Sequence, residues 1–546
     1  MKTFIIIFSV LIFLQFNIVE SAPLLSDSLK PYYVIKAQTG LNANNISTWV
    51  QNTGTFNQDI RTTNTPGFEW PKGSRKFAVF TTGLSMGTYI NNELRLATIS
   101  YNGEYAPGYT SGGNFYTNNN FKLYKVKRGD NSSTNPDYAN WNLMVPYGAP
   151  FYDINNNGIF EPLIDTPGVK NSEQTIFVCL TDADASNHTQ SEGFSGGTLP
   201  VFSEMHFTAW SYTASSLSDV QFIKMEIVNR NNSPWNKTYF GLICDPDLGD
   251  VQDDRLGCDT NRALAYCYNG DNQDGTYGAN PPAVGFDMLK GAVNNNSNTP
   301  VKMSSFSYYE RSGGAAHNVC EWPPNTPIHA YNYMKGFKRD GTIYINPLTR
   351  QKTKYNFPGD PETGTGWTEY NGIIDNCGGI IPDTAIPLSP REVHFMQNSG
   401  ADDLTILPGE KQTFMFAQMI ARGTNNLNSV TKLKQFDDSV QSFYDNDLKG
   451  WIDFSLSVPD KYFLYQNYPN PFNPTTNIKF EIPQSDFINL SVYDLNGRLV
   501  EEIVNENISA GIYEVKFSGK NLSSGIYFYI LKSSKSVLTN KMILIK

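Results

Sequence analysis

Oxygen-bearing side chains recur at alternate positions in a short stretch in the first third of the chain. The residues concerned are Asp153, Asn155, Asn157, Gly158, Ile159, Glu161 and Asp165. Oxygen ligands at the first, third and fifth positions, a glycine that permits a sharp turn and then a backbone carbonyl are how a calcium loop surrounds its ion. We therefore expect this stretch to bind Ca²⁺, with Ile159 contributing its carbonyl oxygen.

This stretch resembles the calcium loops of thrombospondin type 3 and dockerin-like repeats. It departs from them because asparagines replace two of the usual aspartates, and because Ile164 stands at the twelfth position, one residue before Asp165. Fewer carboxylates imply weaker calcium binding. The alternative is an asparagine-rich turn without an ion.

A second acidic stretch lies further along the chain. It contains Asp245, Asp247, Asp250, Asp253 and Asp254. Carboxylates this close together repel one another, and a hard cation relieves the repulsion. The alternative is a solvated loop whose carboxylates accept turn N–H groups. We expect both calcium sites to be structural, because an ion offsets the entropy cost of ordering a long loop.

No stretch predicts a catalytic group. Gly193-Phe194-Ser195-Gly196-Gly197 matches Gly-x-Ser-x-Gly, but that motif holds a nucleophile only between a strand and a helix. Polar residues precede it and Pro200 follows, so a glycine loop is expected. The five histidines form no ligand or base motif.

Aromatic residues suggest an alternative function, the binding of sugars. Trp210, Tyr212, Trp235 and Trp367 could stack on sugar rings, although in a β-sandwich such residues more often fill the core. The separation between paired carboxylates, on which glycoside hydrolysis depends, is not visible in sequence. A secreted polysaccharide-active hydrolase or a glycan-binding protein is therefore the alternative function.

The elements that must position these residues are mostly short strands between turn-forming residues. In one strand Phe222, Lys224, Glu226 and Val228 alternate with Ile223, Met225 and Ile227. We expect it to form a hairpin with residues 239–243. Near residue 430, apolar residues recur at three- and four-residue spacing and predict a helix that Ser429 caps.

Bulk composition favours an extracellular β-rich protein. The chain has 546 residues, enough for two to four domains, with 17% charged and 13% aromatic residues. A net charge of -10 argues against nucleic acid as a partner. Six cysteines permit disulfides, and Cys258 with Cys267 is the most plausible local bridge.

The N-terminus has the pattern of a secretory signal peptide. Lys2 precedes an apolar run from Phe4 to Phe16, which is shorter than the roughly 20 residues that span a bilayer. Cleavage is expected after Ser21. No later apolar run predicts a membrane helix.

The C-terminal residues predict a small β-sandwich behind a proline-rich connector. Pro469, Pro471 and Pro474 favour extended backbone. Ile478, Phe480 and Ile482 then alternate with polar residues, and Asn496-Gly497 suits the tight turn of a two-residue hairpin.

Three motifs of this region identify a family. They are Tyr465-Gln466-Asn467-Tyr468-Pro469-Asn470-Pro471-Phe472-Asn473-Pro474, Asp494-Leu495-Asn496-Gly497-Arg498 and the terminal Lys541-Met542-Ile543-Leu544-Ile545-Lys546. The region closely resembles the type A C-terminal sorting domain of the type IX secretion system of the Bacteroidota and their relatives. The resemblance implies recognition by an outer-membrane translocon, release or display at the outer cell surface, removal of the tail and attachment to surface lipopolysaccharide.

Segments of the middle region, such as Cys244-Asp245-Pro246-Asp247 and Leu407-Pro408-Gly409-Glu410, resemble an uncharacterised family of secreted proteins with this tail. The resemblance implies no reaction.

We expect a mainly β fold: one or two large sandwiches with long loops, then an Ig-like sandwich. The expected segments are a signal peptide (1–21), a β-rich region (22–455, with a possible boundary near 210), a connector (456–475) and the sorting domain (476–546). The expected function is that of a calcium-stabilised surface protein with a structural or adhesive role, whose candidate partners beyond the translocon are lipopolysaccharide, glycans and copies of itself.

Overall fold

Two antiparallel sheets form the body of the protein in the computed structural model. The structure describes residues 36–546 apart from 62–64, 156, 190–193, 295–298, 311–318, 451–460, 484–485 and 509–510, so the predicted signal peptide lies outside the described residues. No helix within the described part of the chain is long and apolar enough to cross a membrane.

The larger sheet has nine strands. In spatial order they are Tyr124–Lys127, Gln174–Thr181, Ser203–Ser211, Val220–Asn229, Lys411–Ala421, Ala283–Lys290, Leu264–Asn269 and Asp254–Asp259, and Ala106–Pro107 also pairs with Gln174–Thr181. The smaller sheet has five strands. They are Ser305–Glu310, Val393–Gly400, Asn236–Asp245, Thr81–Ile90 and Glu93–Ala97.

The sheets pack face to face around one apolar core. Alternate residues of each strand point inward, so Ile223, Met225 and Ile227 of the larger sheet share a buried cluster with Phe240 and Phe395 of the smaller sheet. This confirms the predicted β-sandwich and the alternation predicted for that strand. Position 210 lies inside strand Ser203–Ser211, in the interior of the larger sheet.

The strand Val220–Asn229 does not form the predicted hairpin. It pairs with Ser203–Ser211 and Lys411–Ala421, whereas Asn236–Asp245 belongs to the other sheet. Both strands are buried almost throughout. Each is a central strand that is hydrogen-bonded to a strand on either side, and neither of those is its neighbour in a hairpin between the two.

A helix covers part of the outer face of each sheet. Helix Asn426–Phe443, followed by a π-turn at Tyr444–Leu448, packs on the larger sheet, and helix Pro327–Met334 packs on the smaller one. A third, short helix is Pro136–Ala139. The predicted helix is confirmed, but Asn425 caps it rather than Ser429, because the Asn425 side chain accepts the Asn428 N–H at 2.8 Å.

Residues 463–544 form the second sandwich. Its sheets are Phe463–Leu464, Thr475–Ile482 and Gly511–Ser518, and then Leu499–Ile508, Asp486–Asp494, Gly525–Lys532 and Val537–Leu544. Ile478, Phe480 and Ile482 are buried in its core, as their alternation predicts. Strand Phe463–Leu464 and the buried Phe472 show that part of the proline-rich segment belongs to this sandwich.

The hairpin turn of this sandwich is longer than predicted. Gly497 has a positive φ of 74°, but Asn496 does not, so the turn is not the two-residue type. Instead the Asp494 carboxylate accepts the N–H groups of Asn496 and Arg498, each at 2.9 Å. An aspartate that caps its own turn removes the need for two left-handed residues.

The disulfide pairs other cysteines than expected. Cys320 is bonded to Cys377, with 5.9 Å between their Cα atoms. Cys258 and Cys267 are unbridged and buried on neighbouring strands. The strand register places Cys258 opposite Ala265 and Cys267 opposite Leu256, so the two thiols are not paired across the ladder.

Short strand pairs brace the loops. They are Gln38–Leu41 with Thr48–Gln51, Gln58–Asp59 with Thr65–Pro66, Phe68–Glu69 with Phe77–Val79, Tyr109–Ser111 with Asn114–Tyr116, Phe151–Tyr152 with Thr166–Pro167, Gln273–Asp274 with Gly278–Ala279, Ala292–Asn294 with Thr299–Val301, and Tyr344–Ile345 with Lys352–Thr353.

Candidate functional site

The first predicted calcium stretch is the loop of a hairpin, here called the 153–165 loop. Its base is the pair Phe151–Tyr152 and Thr166–Pro167, in which Tyr152 lies opposite Thr166. The base therefore holds the two ends of the loop together, so that Asp153 and Asp165 start and finish the loop side by side. Gly158 turns the chain between them, with φ of 75°.

Hydrogen bonds bring the predicted oxygen ligands together inside this loop. Glu161 Oε2 accepts from Asn155 Nδ2 at 2.6 Å and from Asn157 Nδ2 at 2.7 Å. Asp153 Oδ2 accepts the Gly158 N–H at 2.7 Å, and Asp165 Oδ2 accepts the Glu161 N–H at 2.7 Å. The side chains of Asn155, Asn157 and Glu161 thus form one cluster, whereas Asp153 and Asp165 accept backbone N–H groups of the same loop.

The loop contains the types of oxygen that a hard cation accepts. A half-turn of each asparagine amide exchanges its NH₂ for its carbonyl oxygen, which would direct two neutral oxygens toward Glu161. Asp153, Asp165 and the Ile159 carbonyl are further oxygen ligands of the kind that calcium prefers. In this structure the carboxylate oxygens of Asp153, Glu161 and Asp165 do not all lie within 4.8 Å of one another.

The same loop carries an unusual number of solvent-exposed aliphatic side chains. Leu163 is 101% exposed, and Ile154, Ile159 and Ile164 are also exposed. They alternate with the polar positions, of which Asp153 and Asp165 are buried and Asn155 and Asn157 are exposed. Exposed apolar groups gathered on one loop are typical of a contact surface.

The second acidic stretch is divided between two polar clusters. Asp245 belongs to the first, where its Oδ2 accepts the Tyr101 hydroxyl at 2.6 Å and the same hydroxyl lies 2.7 Å from His394 Nε2. Asp247 lies close to Asp245 and His394, and burial, followed by the charge of Asp245, raises its pKa to about 8.

Asp254 is buried, and the charge of Asp247 acts on it. Burial raises its pKa, although its Oδ2 accepts the Leu248 N–H at 3.2 Å. Asp245 Oδ1 lies 3.4 Å from His394 Nε2, and Asp254 Oδ1 has no hydrogen-bond partner among the described residues. Buried acceptors without donors are costly unless a proton or a cation reaches them.

Asp250 and Asp253 belong to the second cluster, together with Asp271 and Asp274. Asp274 Oδ2 accepts the Asp250 N–H at 2.8 Å, and Asp250 Oδ1 accepts the Gln252 N–H at 3.1 Å. Burial, then the charge of Asp274, raises the pKa of Asp253 to about 6. This cluster consists mainly of carboxylates that cap turns, so the five aspartates of the stretch do not converge on one point.

A third group, which the sequence did not indicate, lies on the outer face of the larger sheet. Strand register aligns Cys179 with His206 and His206 with Glu226, and the ligating atoms of Cys179, Glu204 and His206 all lie within 4.8 Å of one another. Three buried ligands of these types could bind a transition metal.

The charges around this group do not fit a metal. Glu204 Oε1 is already 2.7 Å from Arg230 Nη2 and 3.6 Å from Lys461 Nζ, and Glu226 Oε1 is 3.3 Å from Lys411 Nζ. Burial opposes protonation of His206, but hydrogen bonds to Cys179 and both glutamates outweigh burial and raise its pKa. We therefore interpret the group as a buried ion-pair network.

The aromatic residues considered for sugar stacking are core residues. Trp210, Trp235 and Trp367 are fully buried, and Tyr212 is buried as well. Trp210 stacks on Phe222 under helix Asn426–Phe443, and Trp367 Nε1 donates to the Gly372 carbonyl at 2.9 Å. These residues form no exposed platform.

The second sandwich identifies the route by which the protein is exported. Residues 466–546 match the family model of the secretion system C-terminal sorting domain. The chain is a type IX secretion sorting-domain protein, and it is secreted and displayed at the outer cell surface. The machinery of that system is consequently a partner of this chain.

Comparisons with other proteins assign no function to the body. No curated protein matches the chain in sequence. A polysaccharide lyase shares 8% identity over 63% of this chain and 34% of its own, with a TM-score of 0.18. PorZ, an essential surface component of the type IX secretion system of Porphyromonas gingivalis, shares 10% identity over 93% and 75% of the two chains, with a TM-score of 0.13. The chain thus spans about a third of the lyase, and at these TM-scores neither structure bears on its function.

Proposed function

We propose that this secreted protein is a calcium-stabilised adhesion protein of the outer cell surface. Its 153–165 loop binds Ca²⁺, and the ordered loop presents aliphatic side chains to an amphiphilic partner, for which lipopolysaccharide is the candidate. The observation that carries the proposal is a hairpin loop whose five oxygen-bearing side chains hydrogen-bond within the loop, while Ile154, Ile159, Leu163 and Ile164 of the same loop are exposed.

Calcium has two roles in this proposal. It neutralises Asp153, Glu161 and Asp165, whose charges otherwise oppose the approach of anionic phosphates. It also fixes the loop backbone, so that less ordering entropy is lost when the partner binds. Each aliphatic side chain that becomes buried on contact contributes about 1.5–3 kcal/mol.

The cluster around Asp245, Asp247 and Asp254 supports a second, structural ion. Asp245 and Asp254 are buried, and Asp254 Oδ1 has no hydrogen-bond partner among the described residues, which suits a cation held inside the fold. The cluster lies beside Tyr101 and His394 and offers no apolar contact surface, so adhesion is assigned to the 153–165 loop alone.

Co-sedimentation of the full chain with lipopolysaccharide aggregates tests the proposal. The wild type should sediment with the aggregates in millimolar Ca²⁺ and remain in solution with EDTA. Leu163→Ser with Ile164→Ser should reduce the bound fraction at least tenfold, because two exposed aliphatic contacts are removed.

The matched control is Leu348→Ser with Ile380→Ser, which changes two exposed aliphatic residues elsewhere on the surface and should bind as the wild type does. Sedimentation velocity without lipopolysaccharide shows whether the loop contacts a second copy instead. Equal binding by both double variants, or binding that persists in EDTA, would contradict the proposal.

A further inference from the structure

A lysine and a glutamate form a buried pair close in sequence to helix Pro327–Met334. Lys338 Nζ lies 2.8 Å from Glu321 Oε1, and the two side chains are 1% and 0% exposed. The buried ring of Tyr344 has its centroid 5.6 Å from the same nitrogen. The pair therefore lies in a water-excluded site beside an aromatic ring, where opposite charges are costly to maintain.

The side chain of Asn376 is buried next to this pair. Lys338 Nζ donates to the Ile374 carbonyl at 3.2 Å, and the same carbonyl accepts the Asn376 N–H at 3.1 Å. Asn376 Nδ2 donates to the Ile343 carbonyl at 2.8 Å, and Ile343 lies opposite Phe337, the residue before the lysine. The asparagine amide thus reaches the turn that carries the lysine.

The disulfide between Cys320 and Cys377 fixes this arrangement. Glu321 directly follows the first cysteine in the sequence, and Asn376 directly precedes the second. Arg339, which follows the lysine, donates its backbone N–H to the Cys320 carbonyl at 2.9 Å. One covalent bond and one backbone hydrogen bond thus hold together the three segments that carry the lysine, the glutamate and the asparagine.

Two oxygens of this group are buried without a donor. Glu321 Oε2 and Asn376 Oδ1 have no hydrogen-bond partner within the part of the chain that the structure describes. Such acceptors destabilise a fold, and each calls for an explanation. A proton on the glutamate could satisfy both oxygens at once, because the carboxyl could then donate to the asparagine carbonyl. The neighbouring ammonium group is a source of that proton.

We propose that the side chains of Lys338 and Asn376 become joined by an amide bond, with Glu321 transferring the protons. The Lys338 ammonium first gives a proton to the Glu321 carboxylate. The neutral amine that remains is a nucleophile, since a desolvated lysine is activated in this way.

The reaction then exchanges one nitrogen for another on Asn376. Nζ attacks Cγ, so that the Nζ–Cγ bond forms and the Cγ–Nδ2 bond breaks. Glu321 gives its proton to Nδ2, which leaves as ammonia, and takes the second proton from Nζ. No group is oxidised or reduced, and no other reactant is consumed. Glu321 ends protonated and can donate to the new amide carbonyl, which satisfies both oxygens that lack a partner.

Peptide mass spectrometry of the full chain tests this bond directly. After reduction, alkylation and digestion with trypsin, the amide at Lys338 should block cleavage there. Residues 336–339 and 355–391 should then appear as one linked peptide, lighter than the two separate peptides by one ammonia. Recovery of only the separate peptides, with cleavage after Lys338, would overturn the proposal. The bond does not depend on the function proposed for the 153–165 loop.

Three variants test the assigned roles. Glu321→Gln should yield no linked peptide. Asn376→Asp leaves the lysine and the glutamate in place and should yield a linked peptide of the same mass as the wild type, because water leaves instead of ammonia. The matched control is Asp340→Asn, which changes another carboxylate near Lys338 and should form the bond as the wild type does. Wild-type yield in Glu321→Gln, or loss of the linked peptide in Asp340→Asn, would overturn the role of Glu321.

Discussion

At the scale of single residues, the body holds histidines in acidic surroundings that their sequence neighbours do not reveal. His188 is the clearest case. Its Nδ1 lies 3.5 Å from Glu104 Oε1, its Nε2 lies 3.5 Å from Asp182 Oδ2, and the side chain is 1% exposed. Burial opposes its protonation, but Asp182 and then Glu104 outweigh burial and raise its pKa to about 9.

This arrangement predicts a pH-dependent stability. The folded-state pKa of His188, about 9, exceeds the ordinary value of 6.5. Its contribution is therefore fully present below pH 6.5 and is lost as the pH rises through 9. We expect the free energy of unfolding of the wild type to fall on the order of 3 kcal/mol more than that of His188→Gln between pH 6.5 and 9.5.

Urea unfolding at several pH values measures this difference. His329→Gln is the matched control, because burial and then Arg339 lower the pKa of His329, which moves its titration away from this window rather than into it. If His188→Gln and the wild type lost stability in parallel across this window, the ion pairs of His188 would not contribute to stability.

Candidate ligands within one short stretch can be named from the sequence, whereas residues that meet through the fold cannot. The ligand candidates from Asp153 to Asp165 lie in one hairpin loop, so their spacing alone predicts calcium chemistry. Tyr101 and His394 are far from Asp245 in the sequence, and Cys179, His206 and Glu226 lie side by side only because their strands pair. The spacing of these residues in the sequence does not indicate that they are in contact.

At the scale of elements, alternation predicted which face of a strand is buried but not which strand it pairs with. Phe222 and Ile223 point to opposite faces of the larger sheet, as expected. The pairing partners, Ser203–Ser211 and Lys411–Ala421, include one that is far away in sequence. Local patterns do not encode such pairing, because it depends on how two sheets share one core.

The helix Asn426–Phe443 gives an element-scale prediction. Leu433 is fully buried against the larger sheet, where Gly285 leaves room for it: a Cβ on Gly285 would lie 3.1 Å from Leu433 Cδ2. Leu433→Ala should lower the free energy of unfolding by about 2–5 kcal/mol, because the vacated volume cannot close fully against a sheet.

Urea unfolding followed by tryptophan fluorescence measures the effect, since Trp210 lies in the same apolar cluster. Lys432→Ala is the control on the exposed face of the same helix and should change stability by less than about 0.5 kcal/mol. A Leu433→Ala variant as stable as this control would show that the helix does not depend on the sheet for its packing.

At the scale of the whole molecule, a C-terminal sorting domain and a two-sheet body are joined in one chain. The export route could be predicted because the sorting domain keeps its motifs in consecutive residues, and the family match at 466–546 confirms it. The sandwich class could be predicted from composition and alternation, but the nine- and five-stranded sheets could not. The 153–165 loop, to which we assign the proposed surface role, carries oxygen-bearing side chains at alternate positions together with exposed aliphatic side chains.

Thermal unfolding of the full chain with and without Ca²⁺ tests that central claim most directly, in the wild type and in Asp153→Asn with Asp165→Asn. A cation at one-hundred-fold its dissociation constant stabilises the folded state by about 2.7 kcal/mol. The account predicts that Ca²⁺ raises the melting temperature of both proteins, because other sites remain, but raises it by several degrees less in the double variant. An identical rise in the two proteins would contradict it.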